Sequence, residues 1–398
     1  MSVTADFKAF VSIKGAWVLV LTMFLYGIGT GVLAPMNAVY LQDGIGLGKG
    51  QIASIFAVSL LLNMVLTISV GLVSDRLRTK KTIPLVAAVL CMAGLLLYMQ
   101  AESYVQALLG MALATAPSGM IMGQMFAMAR NHFSKLAPPG IVEISQLWLR
   151  STYSVGFFTG LLVGANLFLW TTFKGVLWGN LAGYASLFLL LLVYREYAAE
   201  PGKAAAKGGE PFSLAMLIAL LLLACADAIR GLYLPLVVNA RFGSPELMSY
   251  IWSTQAVFEL LFMTIAGYWA AKYGSKRIIL LGSVFALATY MVYAAGGGIV
   301  SFFVVQPLYS FFVSILYGVA MGYVQRMFLH KTGFGASLYV FISQTASLIG
   351  YGLPLLIKGI TPDIFYIPSL LIVVSLCMMV WVLLADARRG GRAVGLTK

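Results

Sequence analysis

Residues 225–235 read "CADAIRGLYLP", and the last five of them decide the fold. "GLYLP" (231–235) echoes "GVLAP" (31–35), at an offset of 200. "GLVSDRLRTKK" (71–81) is echoed by "GYWAAKYGSKR" (267–277) at an offset of 196, and His132 by His330 at 198. Three matches at nearly constant spacing imply that one unit of about 200 residues occurs twice.

Composition says what kind of unit it is. The 398 residues are 61% hydrophobic and only 10% charged, against about 25% in soluble domains, and the mean hydropathy is +0.94. Apolar stretches recur, each long enough to cross ~30 Å of hydrocarbon as a helix. They lie near 17–41, 51–71, 83–100, 106–128, 144–169, 176–193, 213–240, 248–270, 278–295, 301–324, 336–357 and 364–384. The chain is therefore expected to be an all-α membrane protein of twelve transmembrane helices in two pseudo-symmetric six-helix bundles. The bundles span 1–193 and 213–398, joined by a linker at 194–212 rich in Gly, Ala and mixed charge. The first apolar stretch is too long for a signal peptide and reads as a retained span.

An even number of spans places both termini on one side, and charge says which. Of the 26 Lys and Arg residues all but six fall on that side. Lys49, Lys174, Arg241 and Lys358 lie opposite, while Arg150 and Arg230 lie inside spans. By the positive-inside rule the termini face the cytoplasm, and the expected location is the cell (inner) membrane. The net charge of +13 sits in short connections with no basic, aromatic-interleaved stripe, so no nucleic-acid partner is expected. Cys91, Cys225 and Cys377 lie singly in apolar segments and read as small buried hydrophobes. Both histidines fall in expected loops without metal-ligand spacing, and no phosphate-binding loop is present. Neither an enzyme nor a metal or organic cofactor is expected.

A parallel six-plus-six duplication resembles the architecture of the major facilitator superfamily, whose sites lie near the bilayer midplane between repeats. "GLVSDRLRTKK" resembles that superfamily's signature between spans two and three: Gly71, Asp75, Arg76 and Lys80 fit, while Arg78 replaces a glycine. The second copy has Ala271 where the acid would stand. "GQMFAMAR" (123–130), "LWLRSTYS" (147–154) and "FELLFMTIAGYWAAKYGSKR" (258–277) resemble segments of the bacterial sugar efflux transporter family. The resemblance implies alternating access, sugar or glycoside export, and a latch role for Asp75, Arg76 and Lys80. It also makes Glu259 the residue that matches the family among the buried charges.

Charges inside the spans carry the remaining signal. A charge at a helix centre costs about 2.5–3.5 kcal/mol on insertion scales, so it faces a cavity or a partner. Counting ~1.5 Å per residue from the outer helix ends puts Arg230 and Glu259 level, with Asp227 one turn below Arg230 on the same face. Arg230 is expected to be shared between the two carboxylates, either to lock spans seven and eight or to serve proton coupling, the proton then being the coupling ion. Arg150 reads equally as a snorkelling residue and as a substrate contact. Amides at Asn37, Asn63, Gln124, Gln255, Gln306 and Gln344 supply neutral donors and acceptors, and Tyr233 and Trp252 supply stacking faces. Gly156, Gly160 and Gly164 allow close helix contact. The partners expected are a small solute and the lipid bilayer, with the monomer as the working unit. Three readings stand at this point: a proton-coupled sugar exporter, a multidrug or amphiphile exporter, and a non-transporting binding protein on the same fold.

Overall fold

The structure is a computed structural model that describes residues 10, 12–74, 80–136, 142–197, 210–328 and 332–395. Asp75, Arg76 and His330 lie outside the described residues. Among these residues all regular structure is helical. In the first half α1 spans Ala16–Leu33, α2 Lys49–Ser74, α3 Thr82–Met99, α4 Tyr104–Thr115, α5 Ser118–Leu136 and α6 Val142–Val193. In the second half α7 spans Leu214–Phe242, α8 Leu247–Tyr273, α9 Ser275–Ala294, α10 Ile299–Val304, α11 Gln306–Ser314, α12 Met321–Met327, α13 Thr332–Gly352 and α14 Tyr366–Gly395. A π-helical turn at Ile315–Ala320 joins α11 to α12.

Among the described residues ten runs of helix are long and apolar enough to cross a membrane. Two adjustments reconcile that number with twelve crossings. One run, Trp148–Val193, covers 46 residues, or about 69 Å at 1.5 Å per residue, more than twice the hydrocarbon thickness. Its reversal is at Thr172, whose backbone takes φ 60 and ψ −157, a region that costs a residue with a Cβ ~1–3 kcal/mol. The other is α8, 27 residues long and outside those ten runs, since its polar positions lower its hydropathy. Pro117 separates α4 from α5 within one crossing, because it has no N–H to continue the ladder. Pro235, by contrast, sits inside an unbroken α7. That helix is capped by the Ser213 hydroxyl on the Met216 N–H and closed by Gly243 in the left-handed conformation at φ 65.

Contacts divide the chain into two compact units, Met1–Lys203 with Pro245–Tyr250, and Ala204–Ser244 with Ile251–Lys398. Large apolar side chains such as Val65, Leu97, Leu189, Leu261 and Leu370 are turned outward. A water-facing surface would not carry so many; a lipid-facing one must. Two expectations are corrected here. Cys377 is exposed on this outward face, unlike buried Cys91 and Cys225. His132 is in helix α5 and buried, not in a loop.

In the first unit α1 packs on α6 through the expected glycines. A Cβ on Gly160 would stand 2.2 Å from the Ile28 carbonyl oxygen, and one on Gly156 equally 2.2 Å from that of Phe24. Nothing but hydrogen fits, so the backbones approach closely and gain dispersion contact that lipid tails cannot supply. Gly160→Val is therefore expected to abolish a monodisperse peak in detergent gel filtration. Gly123→Ala, with nothing within 4 Å of the added carbon, is expected to leave that peak unchanged.

Candidate substrate and coupling site

The second unit assembles the site around Arg230, which is 2% exposed. A buried guanidinium needs its five donors satisfied and its charge offset. Its Nη2 donates to Gln255 Oε1 at 2.8 Å and to Gln306 Oε1 at 3.1 Å, and its Nε to the Tyr293 hydroxyl at 3.5 Å. Tyr309 lies face-on beneath it, with the guanidinium carbon 3.5 Å from the ring centroid, a cation–π contact of ~2 kcal/mol when desolvated.

The expected sharing of Arg230 between two carboxylates is thus corrected: its hydrogen bonds go to amides and a phenol, and each acid is reached through an intermediary. Gln255 Nε2 donates to Glu259 Oε2 at 3.2 Å, so one amide joins cation to carboxylate. Tyr309 does the same on the other side, offering its ring face to Arg230 and donating its hydroxyl to Asp227 Oδ1. Asp227 Oδ2 accepts from the Tyr317 hydroxyl at 2.6 Å. Gln306 holds its own orientation by donating to the Tyr293 hydroxyl at 2.8 Å and to the Phe302 carbonyl at 2.5 Å.

The helices that carry these groups are fixed in register. Ser310 and Ser314 of α11, one turn apart, donate to the carbonyls of Gln255 and Glu259 of α8, also one turn apart. The π-turn then sets Tyr317. Eight residues of ideal helix would rotate Tyr317 about 80° away from Tyr309, whereas absorbing one extra residue brings the difference to about 20°. Both phenols consequently reach one carboxylate on α7.

The remaining expected residues separate into two groups. Trp252, one turn before Gln255, is half-buried, and its indole N–H has no hydrogen-bond partner. Such a donor is what a ligand or water satisfies. Gln344 is half-buried on α13. Tyr233, in contrast, is fully buried and donates to the Tyr351 carbonyl at 2.6 Å. Its ring has no free face for stacking, which corrects the expectation placed on it. Arg150 is exposed on α6, as snorkelling requires.

In the first unit Asn37 accepts from the Tyr98 hydroxyl at 2.8 Å, and Asn63 donates to the carbonyls of Thr115 and Ala116 at 3.1 Å each. Asn63 thereby satisfies backbone oxygens at the break beside Pro117. Both amides tie helices together in this structure. Gln124 is buried with an unpartnered Oε1. Among the described residues no group of three or more His, Cys, Asp or Glu is placed to hold a metal ion.

Just before α3 the last two residues of the signature segment are gripped by a residue that sequence reasoning missed. Gly71 lies in α2. Glu196 accepts the backbone N–H of Lys80 at 2.5 Å and of Lys81 at 3.0 Å. Its carboxylate caps the positive start of α3. Lys81 Nζ returns the contact to the carbonyls of Leu192 and Tyr194 at 3.0 and 2.7 Å. Burial, then the negative charge of Glu196, pushes the Tyr194 phenol up from its ordinary value. The Lys14 carbonyl can only accept, so His132 Nε2–H donates to it at 3.0 Å, which leaves Nδ1 to pair with the Tyr194 hydroxyl at 3.1 Å. A carboxylate 116 residues from the amide it caps leaves no local pattern to read.

Two outcomes follow from this geometry. Gln306→Leu removes a bond to a buried cation and is expected to destabilise by about 1.5–3 kcal/mol, read as a lower melting temperature in detergent. Glu196→Ala removes the cap and is expected to cost ~1 kcal/mol or more, read as faster exchange of the Lys80 and Lys81 amides.

Comparison with known proteins places this geometry in context. Residues 19–351 match the Major Facilitator Superfamily profile. The chain is 20% identical to sugar efflux transporter A of Escherichia coli strain K12 over 328 residues, 80% of this chain and 83% of that one. It is 23% identical to a putative sugar efflux transporter of Deinococcus radiodurans over 387 residues, covering 93% and 97% of the two chains. Among solved structures, nucleoside transporter NupG superposes with a TM-score of 0.73 at 14% identity, covering 91% of this chain and 96% of that one. Peptide transporter POT in complex with sulfate superposes with a TM-score of 0.76 at 14% identity, over 96% and 95%.

Proposed function

The chain belongs to the Major Facilitator Superfamily and is a membrane transporter; we propose that it is a proton-coupled exporter of sugars or glycosides, working by alternating access in the inner membrane with both termini cytoplasmic. The observation that carries this reading is the chain of bonds from Arg230 through Gln255 to Glu259. Protonating Glu259 removes the negative acceptor at one end. The amide of Gln255 is then free to turn, and its oxygen, which serves Arg230, can be offered to a solute hydroxyl. Solute binding and proton binding thus act on the same amide, which is the requirement for exchange of one against the other. The unpartnered N–H of Trp252 lies one turn away as a further donor.

The sugar class is supported by the neutral character of the groups on offer: amides, phenols and an indole, beside carboxylates that accept hydroxyl donors. The sugar efflux transporters named above, similar along most of their length, point the same way. Asp75, Arg76 and Lys80 keep the latch role implied by their signature, with Glu196 anchoring the segment that follows them.

The test uses sealed proteoliposomes containing a pH-sensitive dye, under an imposed proton gradient. Lactose-like glycosides are expected to trigger proton movement in the wild type. Glu259→Gln is expected to lose that response while still equilibrating labelled glycoside. A response to cationic drugs alone would replace the sugar class by a multidrug one, and labelled sugar moving with no proton response would make the charged cluster structural.

A further inference from the structure

We propose that the Tyr317 hydroxyl is a built-in stand-in for a substrate hydroxyl: it occupies the outer oxygen of Asp227, and a sugar hydroxyl takes its place when the substrate binds. The inference rests on the sugar reading above and adds to it the subsite and the residue that sets its affinity.

Asp227 is held by two phenols that differ in kind. Tyr309 is 2% exposed, and its ring is pinned under Arg230, 3.5 Å from the guanidinium carbon. Its hydroxyl cannot leave Asp227 Oδ1 without uncovering a buried cation. Tyr317 is 37% exposed and sits on a π-turn. In that wide turn the neighbouring carbonyl of Leu316 is taken up by the Tyr339 hydroxyl, while Gly318, on the other side, has open space where a Cβ would be. The Tyr317 side chain can therefore withdraw without stripping a partner from anything except the carboxylate.

What replaces it must be an O–H donor of similar strength, because a half-buried carboxylate left with an empty lone pair is costly. A sugar hydroxyl meets that need; an apolar amphiphile or a second carboxylate does not. The chemistry of the replacement is also nearly even, one O–H for another, so the exchange releases the phenol at little net cost. Tyr317 then acts as a competitor with the substrate inside the protein, and it lowers the apparent affinity by the fraction of time it is bound. Weak retention is what an exporter needs in order to release its cargo.

The experiment measures binding of lactose-like glycosides to purified full-length protein by calorimetry, for wild type, Tyr317→Phe, Tyr309→Phe and Asp227→Asn. Tyr317→Phe is expected to bind more tightly by about tenfold or more, the worth of one competing hydrogen bond to a charged group. Tyr309→Phe and Asp227→Asn are expected to bind more weakly. A series of monodeoxy glycosides supplies the readout that a packing role would not move. For one analogue, lacking the hydroxyl that docks on Asp227, the gain in Tyr317→Phe should vanish. Unchanged or weaker glycoside binding by Tyr317→Phe, with wild-type binding intact, overturns the inference and leaves the sugar reading standing. If no glycoside binds to wild type or to any variant, the sugar reading falls, and this inference falls with it.

Discussion

A guanidinium buried to 2% exposure in a chain that is 61% hydrophobic is the constraint on which the second unit is organised. Water cannot solvate it, and a single carboxylate in contact would trade one buried charge for a rigid pair of them. The structure distributes the charge instead. Two amide oxygens, a phenol and a ring face each carry a part. Asp227 and Glu259 stand one group farther out, each joined to the cation through Tyr309 or Gln255.

That distribution explains why α8, α9 and α11 all bring polar side chains to one place on α7. Each of them satisfies an atom that would otherwise be orphaned, and the serine pair on α11 holds α8 at the register that makes Gln255 reach. Membrane helices have no hydrophobic drive to associate with each other. In the first unit glycine-to-backbone contact supplies the adhesion, along α1 and α6; around Arg230 a polar network does so.

The fold was legible because twelve apolar stretches and a repeat near 200 residues are properties of the sequence itself. So was the closeness of Arg230 to Glu259, two groups that one amide joins, since a residue count along each helix sets them level with each other. The wiring between them was not. Sequence spacing puts Asp227 and Arg230 on one face, but nothing in it shows that a tyrosine 82 residues away reaches Asp227 first. Tyr309 and Tyr317 look like two more aromatics in an apolar run. Their alignment depends on a π-turn, and no residue type announces one. Tyr233 was misread for the related reason that burial by α13 is a tertiary fact, and His132 because α5 runs on past the point where its hydrophobicity falls.

The π-turn at Ile315–Ala320 has a mechanical meaning as well. A helix that holds one residue more than its turns require carries slack, in the way a rope carries it at a pulley. The surplus can travel along the helix by local exchange of hydrogen bonds while both ends stay anchored. One step of such travel turns the neighbouring positions by about 100°, and the residue after Tyr317 is Gly318. The face presented to Asp227 would pass from a phenol to bare backbone with no sliding of α11 against α8.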